Sequence, residues 1–235
     1  MSVFRFKRFA IDQTGCAMRI NTDGVLLGAL AIGEDAQTVL DIGTGTSVIA
    51  LMLAQRFPNA NITGLEIDAS SAAAAANNAL QSPFSNRLLV SHSAFQDFQP
   101  PHPIDLIVSN PPFYVNTLHN PDARKKQARH TDMTFFDDLL SYAEVHLSTR
   151  GAMELILPPE LADAVIAKAS DHDLVLQRDM TISSFADSLP IRRIIRLIRN
   201  RNEVQTEYSN FVIYESKGVY SAAYRTLLKD FFLAF

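Results

Sequence analysis

From residue 38 to residue 170, short apolar runs alternate with helix-forming stretches, and the first run breaks off in Asp41-Ile42-Gly43-Thr44-Gly45. Continuous apolar runs of four to eight residues suit strands buried on both faces, and strands alternating with helices build a mainly parallel sheet. The sequence predicts strands over 38–42, 61–67, 87–90, 104–109 and 153–157. Helices are expected over 47–57, closed by Pro58, over 69–80, over 135–147, and from Pro158-Pro159-Glu160 to about residue 170. Further strands are expected over 174–182, 191–198 and 210–215. In the stretch 191–198, Arg192 and Arg196 share a helical face with Arg199, but the β-branched content favours a strand. A helix is expected over 220–235. The expected fold is therefore α/β, a doubly wound, mostly parallel sheet of the seven-stranded type. It forms one domain, with residues 1–21 as an N-terminal hairpin extension and residues 22–235 as the core.

The 235 residues suffice for one well-filled core, and 47% hydrophobic against 20% charged residues is a globular balance. No apolar run approaches the roughly 20 residues that span a bilayer. Met1-Ser2-Val3-Phe4-Arg5-Phe6-Lys7-Arg8 lacks a secretory h-region, so a soluble cytoplasmic location is expected. One cysteine, Cys16, and six scattered histidines offer no metal cage, and no metal is expected. The net charge of −4 argues against a nucleic-acid partner, but its distribution does not. More than half of the 21 Lys and Arg residues fall in three islands: Arg5, Lys7 and Arg8; Arg124, Lys125, Lys126 and Arg129; Arg192, Arg193, Arg196, Arg199 and Arg201. Three such islands on an acidic chain can bring an anionic ligand to one face. Any one alone reads first as solvated surface.

The glycine turn lies between a strand and a helix, where an open α/β sheet places its ligand crevice. Glycine has no Cβ, so the backbone turns sharply there and approaches a ligand closely. Glu66-Ile67-Asp68 ends a second strand about 20 residues later, the spacing at which a carboxylate meets a ribose diol. A dinucleotide fingerprint needs a third glycine where this chain has Val48. Asp41, just before the turn, would also repel a pyrophosphate. Asp41 near an ammonium and Glu66 on a ribose describe S-adenosylmethionine better than NAD. The plainer alternative is a tight turn with incidental charges.

The strand over 104–109 ends in Asn110-Pro111-Pro112-Phe113. Two prolines make a rigid elbow with no N–H to donate, beside the glycine turn in a doubly wound sheet. An amino group on an aromatic ring or a carbonyl is a poor nucleophile, because its lone pair is delocalised. The Asn110 carboxamide oxygen and the Pro111 carbonyl can accept its two hydrogens and leave the lone pair aimed at a methyl donor. Phe113 can stack on a planar base that has left its own stack.

With these residues in place, the chain resembles the class I methyltransferases that carry an Asn-Pro-Pro-aromatic motif. More closely, it resembles the bacterial tRNA adenine-N6 methyltransferases that modify the adenosine 3′ of the valine-tRNA anticodon. The resemblance runs nearly end to end. It includes Phe4-x-Phe6-Lys7-x-Phe9, Cys16-Ala17-Met18, Thr22-Asp23-Gly24-Val25-Leu26-Leu27-Gly28 and Val39 to Gly45. It continues through Gly64-Leu65-Glu66-Ile67-Asp68, Asn110 to Phe113, Ala128-Arg129-His130 and the tail from Tyr220 to Phe232-Leu233.

The resemblance implies S-adenosylmethionine as cofactor and tRNA as partner. Asp41, Gly43 and Gly45 then serve the cofactor at the first turn, Glu66 at its ribose with Asp68 beside it, and Asn110 at the methyl. Asn110, Pro111, Pro112 and Phe113 form the catalytic motif. Many relatives carry an Asp after the third strand for the adenine amine. Here the chain reads His92-Ser93-Ala94-Phe95, which leaves that contact to Ser93, Ala94 and Phe95. Thr22-Asp23 is an expected helix cap that borders the cofactor, and Gln13 and Cys16 belong to the hairpin. Arg124, Lys125, Lys126, Arg129 and His130, in an expected loop over 114–131, are the RNA-binding candidates. The same motif serves glutamine-amide methylation in release factors, guanine-N2 methylation in ribosomal RNA and DNA adenine methylation. The basic hairpin and Phe113 favour a base over a protein amide, and 235 residues leave no room for a DNA target-recognition domain. A non-enzymatic nucleotide-binding protein on the same fold is the reading from outside this class.

Overall fold

The computed structural model describes residues 3–111, 121–199 and 204–235, with the stretch 121–132 described by its backbone alone. An antiparallel hairpin, β1 (Val3–Arg5) and β2 (Ala10–Asp12), leads to α1 (Thr22–Leu30). Next come β3 (Thr38–Ile42), α2 (Val48–Arg56), β4 (Asn61–Glu66), α3 (Ala69–Leu80), β5 (Leu88–His92) and β6 (Ile104–Ser109). After the undescribed stretch come α4 (Pro121–His146), β7 (Leu147–Leu157), α5 (Pro159–Ala169), β8 (Leu174–Ser183) and β9 (Pro190–Arg199). The chain closes with β10 (Glu207–Val212), β11 (Tyr214–Ser216), β12 (Val219–Tyr220) and α6 (Ala222–Leu228).

Eight strands form one sheet in the order β10-β8-β9-β7-β6-β3-β4-β5. All pairs are parallel except those of β9, which runs antiparallel to both β7 and β8. This is the expected doubly wound sheet, with β10 as an eighth strand on its edge. Side-chain alternation sends neighbouring residues to opposite faces, so the inner strands feed two cores. Val39, Leu106 and Val108 join α1, α2 and α6 on one face, while Leu40, Ile42 and Ile107 join α4 and α5 on the other. Phe6, Phe9 and Ile11 bring the hairpin into the first core.

The 191–198 segment is a strand, as expected, and β7 and β8 take its hydrogen bonds on both sides. Other expectations needed correction. Gly151, expected between a helix and a strand, lies inside β7 beside a register shift, where an added Cβ would sit 2.5 Å from the Ile104 carbonyl oxygen. The expected helix over 135–147 begins earlier, at Pro121, so the described part of the expected loop over 114–131 is helical. The C-terminal helix, in contrast, ends at Leu228. Phe231 and Phe232 leave it to pair with the hairpin: the Lys7 amide donates to the Phe231 carbonyl, and Phe232 bridges Phe6.

Candidate active site

Going along the chain, the strands step from β3 outward to β4 and β5, then return to the far side of β3 with β6 and β7. The carboxyl end of β3 is thus the switch point of the sheet, where loops on either side diverge and leave a crevice. A cavity of about 590 Å³ opens there.

The glycine turn forms its floor. Gly43 and Gly45 adopt positive φ, +72° and +53°, and a Cβ on Gly43 would meet nothing within 4 Å. The turn is held from behind by the Gly43 and Thr44 amides, which both donate to the Leu65 carbonyl at 2.9 Å. Gly64 makes this approach possible. A Cβ there would sit 2.9 Å from the Thr44 hydroxyl oxygen. Ser47 closes the turn at φ +64°, an unusual conformation for a residue with a side chain, with its amide on the Thr44 carbonyl.

Glu66 ends β4 at the cavity wall. Its Oε2 accepts from the Gly45 amide at 2.9 Å and its Oε1 from the Asp68 amide at 3.0 Å. Both bonds fix the carboxylate, and each oxygen keeps a second lone pair for a ligand hydroxyl. Asp68 also lines the cavity, but it caps α3 by accepting from the Ser71 amide, and that bond lowers its pKa. Ser93, Ala94 and Phe95 line the cavity beyond β5. Phe95 is buried against the edges of Phe135 and Tyr142, and Ile67 stands 72% exposed at the same wall. Ile67 was visible only as the residue between Glu66 and Asp68, and Phe135 only as the start of an expected helix, since tertiary packing brings them to the cavity.

Asp41 was expected beside a ligand, yet it is absent from the cavity lining. Its side chain is fully buried beneath the turn, where Oδ2 accepts from the Thr44 hydroxyl at 2.7 Å and from the Ala50 amide at 3.2 Å. Among the described residues nothing donates to its Oδ1. Burial pushes its pKa up to about 7, with the Glu66 charge adding to the rise.

Asn110 and Pro111 follow β6 onto the cavity wall, while Pro112 and Phe113 lie outside the described residues. The Ser109 hydroxyl donates to the Ile42 carbonyl at 2.7 Å and locks this wall to the glycine turn. The Asn110 Nδ2 donates to Asn21 Oδ1 at 3.5 Å. Asn21, and not Thr22, is the N-cap of α1, with its Oδ1 also taking the Gly24 amide at 2.8 Å. Ala17, Met18 and Arg19 complete the rim on that side.

The basic islands part ways. Lys7 binds the Lys229 and Phe235 carbonyl oxygens, and Arg8 stacks over Phe84. In β9, Arg192 pairs with Asp23, Arg193 with Asp163 and Asp179, and Arg196 with buried Glu154, while Arg199 donates to the Leu147 carbonyl. This island is therefore mostly ion-pair structure within the fold, and Arg201 lies outside the described residues. Arg124, Lys125, Lys126, Arg129 and His130 fall on the first turns of α4, where only the backbone is described. No group of His, Cys, Asp and Glu among the described residues could hold a metal ion, and no described helix is long and apolar enough to cross a membrane.

Residues 21–170 match the family model of the methyltransferase small domain. A protein of Pedobacter heparinus named tRNA1(Val) (adenine(37)-N6)-methyltransferase is 52% identical, over 100% of this chain and 99% of its own. A protein of the same name from Aeromonas hydrophila is 39% identical over 99% and 98%. Among solved structures, one described as a predicted O-methyltransferase from Agrobacterium tumefaciens superposes with a TM-score of 0.68 at 17% identity. It covers 89% of this chain and 96% of its own. A methyltransferase from Pyrococcus furiosus superposes at 0.57, with 21% identity and coverage of 80% and 91%. The cavity at the switch point, the family model and the full-length relatives agree, and the chain belongs to the methyltransferase small domain family and, within it, to the tRNA1(Val) (adenine(37)-N6)-methyltransferases.

Proposed function

We propose that this protein methylates N6 of an adenine in tRNA, the adenosine 3′ of the valine-tRNA anticodon, with S-adenosylmethionine as donor. The observation that carries this reading is Asn110. It reaches the cavity from the end of β6, its amide nitrogen is engaged by Asn21, and nothing among the described residues donates to its Oδ1. The residues fit the cofactor. The α-carbon of Gly43 faces open space, the Glu66 carboxylate is pinned with lone pairs to spare, and Ile67 and Phe95 offer apolar flanks for a purine. S-adenosylmethionine supplies a methyl group made electrophilic by the sulfonium that bears it. Glu66 would hold the ribose hydroxyls, and the backbone from Gly43 to Gly45 would lie along the amino-acid part. Buried Asp41 would act from beneath the turn through its charge, without contact.

On the substrate side, Asn110 Oδ1 accepts one N6 hydrogen, which localises the nitrogen lone pair. The proton becomes acidic only as the N–C bond forms, so no strong base is needed, and it leaves to solvent after transfer. The first turns of α4 carry Arg124, Lys125, Lys126, Arg129 and His130, close in sequence to the catalytic motif, and this basic group is the one assigned to phosphate contacts. The test is mass spectrometry of nucleosides from tRNA incubated with the protein and S-adenosylmethionine. N6-methyladenosine in the valine tRNA supports the reading. Methylguanosine, or methyl appearing only in protein, would refute it.

A further inference from the structure

The cap of α1 touches the catalytic motif, and nothing about helix capping requires that it should. Asn21 Oδ1 accepts from two donors, the Gly24 amide at 2.8 Å and the Asn110 amide nitrogen at 3.5 Å. Its own Nδ2 turns away, to the sulfur of Met18 at 3.4 Å. A carboxamide can present either its oxygen or its nitrogen to a substrate. If the Asn110 group were reversed, it would meet the amino group of a base with two more donors, and no hydrogen bond could form. The acceptor on Asn21 removes that choice, because only Nδ2 of Asn110 can donate to it.

From this juxtaposition we infer that Asn21 is a positioning residue for methyl transfer, holding the Asn110 side chain in the rotamer that turns Oδ1 toward the target amine. The inference rests on the proposed function for its consequence and on geometry for its cause. The 3.5 Å contact is long, in keeping with catalytic hydrogen bonds that tighten only once substrate is bound. The segment before Asn21 makes the position rigid. Gln13 Oε1 accepts from the Ile20 amide at 2.9 Å, the Ala17 amide donates to Ser71 Oγ at 3.0 Å, and Ser70 Oγ donates to the Gly15 carbonyl at 2.9 Å. The strap of residues 13–20 is thereby fastened to α3, and the end of β6 meets an acceptor fixed by two other elements.

Serine and aspartate at position 21 separate the two roles. Both cap helices well, but the serine hydroxyl is too short to serve Asn110, whereas the carboxylate keeps an acceptor in place. Asn21→Ser is expected to melt with the parent and bind S-adenosylmethionine within about threefold of it. Its single-turnover rate on tRNA should fall on the order of tenfold to a hundredfold, the scale of a small misplacement. Asn21→Asp should restore the rate to within a few fold. In an Asn110→Ala background, Asn21→Ser should cost nothing more. A second readout is independent of turnover: the side-chain amide resonances of Asn110, identified by their loss in Asn110→Ala, should move in Asn21→Ser more than in Asn21→Asp. A parent-like rate in a folded Asn21→Ser protein overturns the inference, and so does an Asn110 resonance that does not move. An inactive parent would refute the proposed function, while the amide resonances would still decide the contact.

Discussion

Glu66 serves two masters at the residue scale. It holds the glycine turn through the Gly45 amide and faces the cavity with its spare lone pairs. Glu66→Ala removes a charged acceptor, a loss of about 1.5–3 kcal/mol per hydrogen bond. Calorimetric titration should show S-adenosylmethionine affinity falling at least tenfold in a variant that still folds. Asp41 gives a prediction with a sign. Its folded pKa of about 7 lies above the ordinary value of 3.8, so the folded state binds the proton more tightly than the unfolded chain. The stability linked to this group is complete below pH 3.8 and is lost as pH climbs through about 7. Asp41→Asn cannot ionise, so the difference in Tm between variant and parent, in the absence of cofactor, should grow in the variant's favour from pH 4 to pH 8. A constant difference would mean that Asp41 does not titrate in this range. That the glycine turn, Glu66 and Asn110 come together at one cavity was legible because each stands in a local motif at a strand end. Asn21, Gly64 and Ile67 were not read as site residues, since their roles depend on which segments pack together.

At the scale of elements, β9 shows how a basic run can mislead. In sequence, its arginines form one of three basic islands and also share a helical face, although the β-branched residues among them favour a strand. In the fold, they line an antiparallel strand whose neighbours supply carboxylates. Glu154 is fully buried, and burial pushes its pKa up while Arg196 and the Ile32 amide pull it down. Arg196→Ala would remove the nearest guanidinium and leave that carboxylate only the Ile32 amide and Arg178 at 3.9 Å, at a cost of up to about 3–5 kcal/mol. A large drop in Tm with an unchanged salt dependence of tRNA binding is the expected result. A stable variant with a weaker salt dependence would return β9 to the RNA-binding surface. The C-terminal helix was overestimated for a related reason. Phe231 and Phe232 continue a helical pattern locally, but pairing with the hairpin competes for the same backbone and prevails.

For the whole molecule, the alternation of apolar runs pointed to a doubly wound, mostly parallel sheet, because a parallel sheet allows few connections and the glycine turn marks its switch point. The electrostatic map could not be drawn from sequence, since pairing inside the fold decides which charges face outward. The proposed phosphate contacts lie at the start of α4. Replacing Lys125 and Lys126 with Ala should each lower the log–log salt slope of tRNA binding by about one, with cofactor affinity unchanged. A slope that does not move would place this segment away from the RNA.

The central claim is that Asn110 holds an adenine amine for attack on the methyl of S-adenosylmethionine, and single-turnover transfer to valine tRNA measures it most directly. Asn110→Ala should keep cofactor affinity within a few fold and lose methylation by at least about a hundredfold, the scale of removing a preorganised transition-state partner. A folded Asn110→Ala protein that methylates the tRNA within a few fold of the parent would contradict the account.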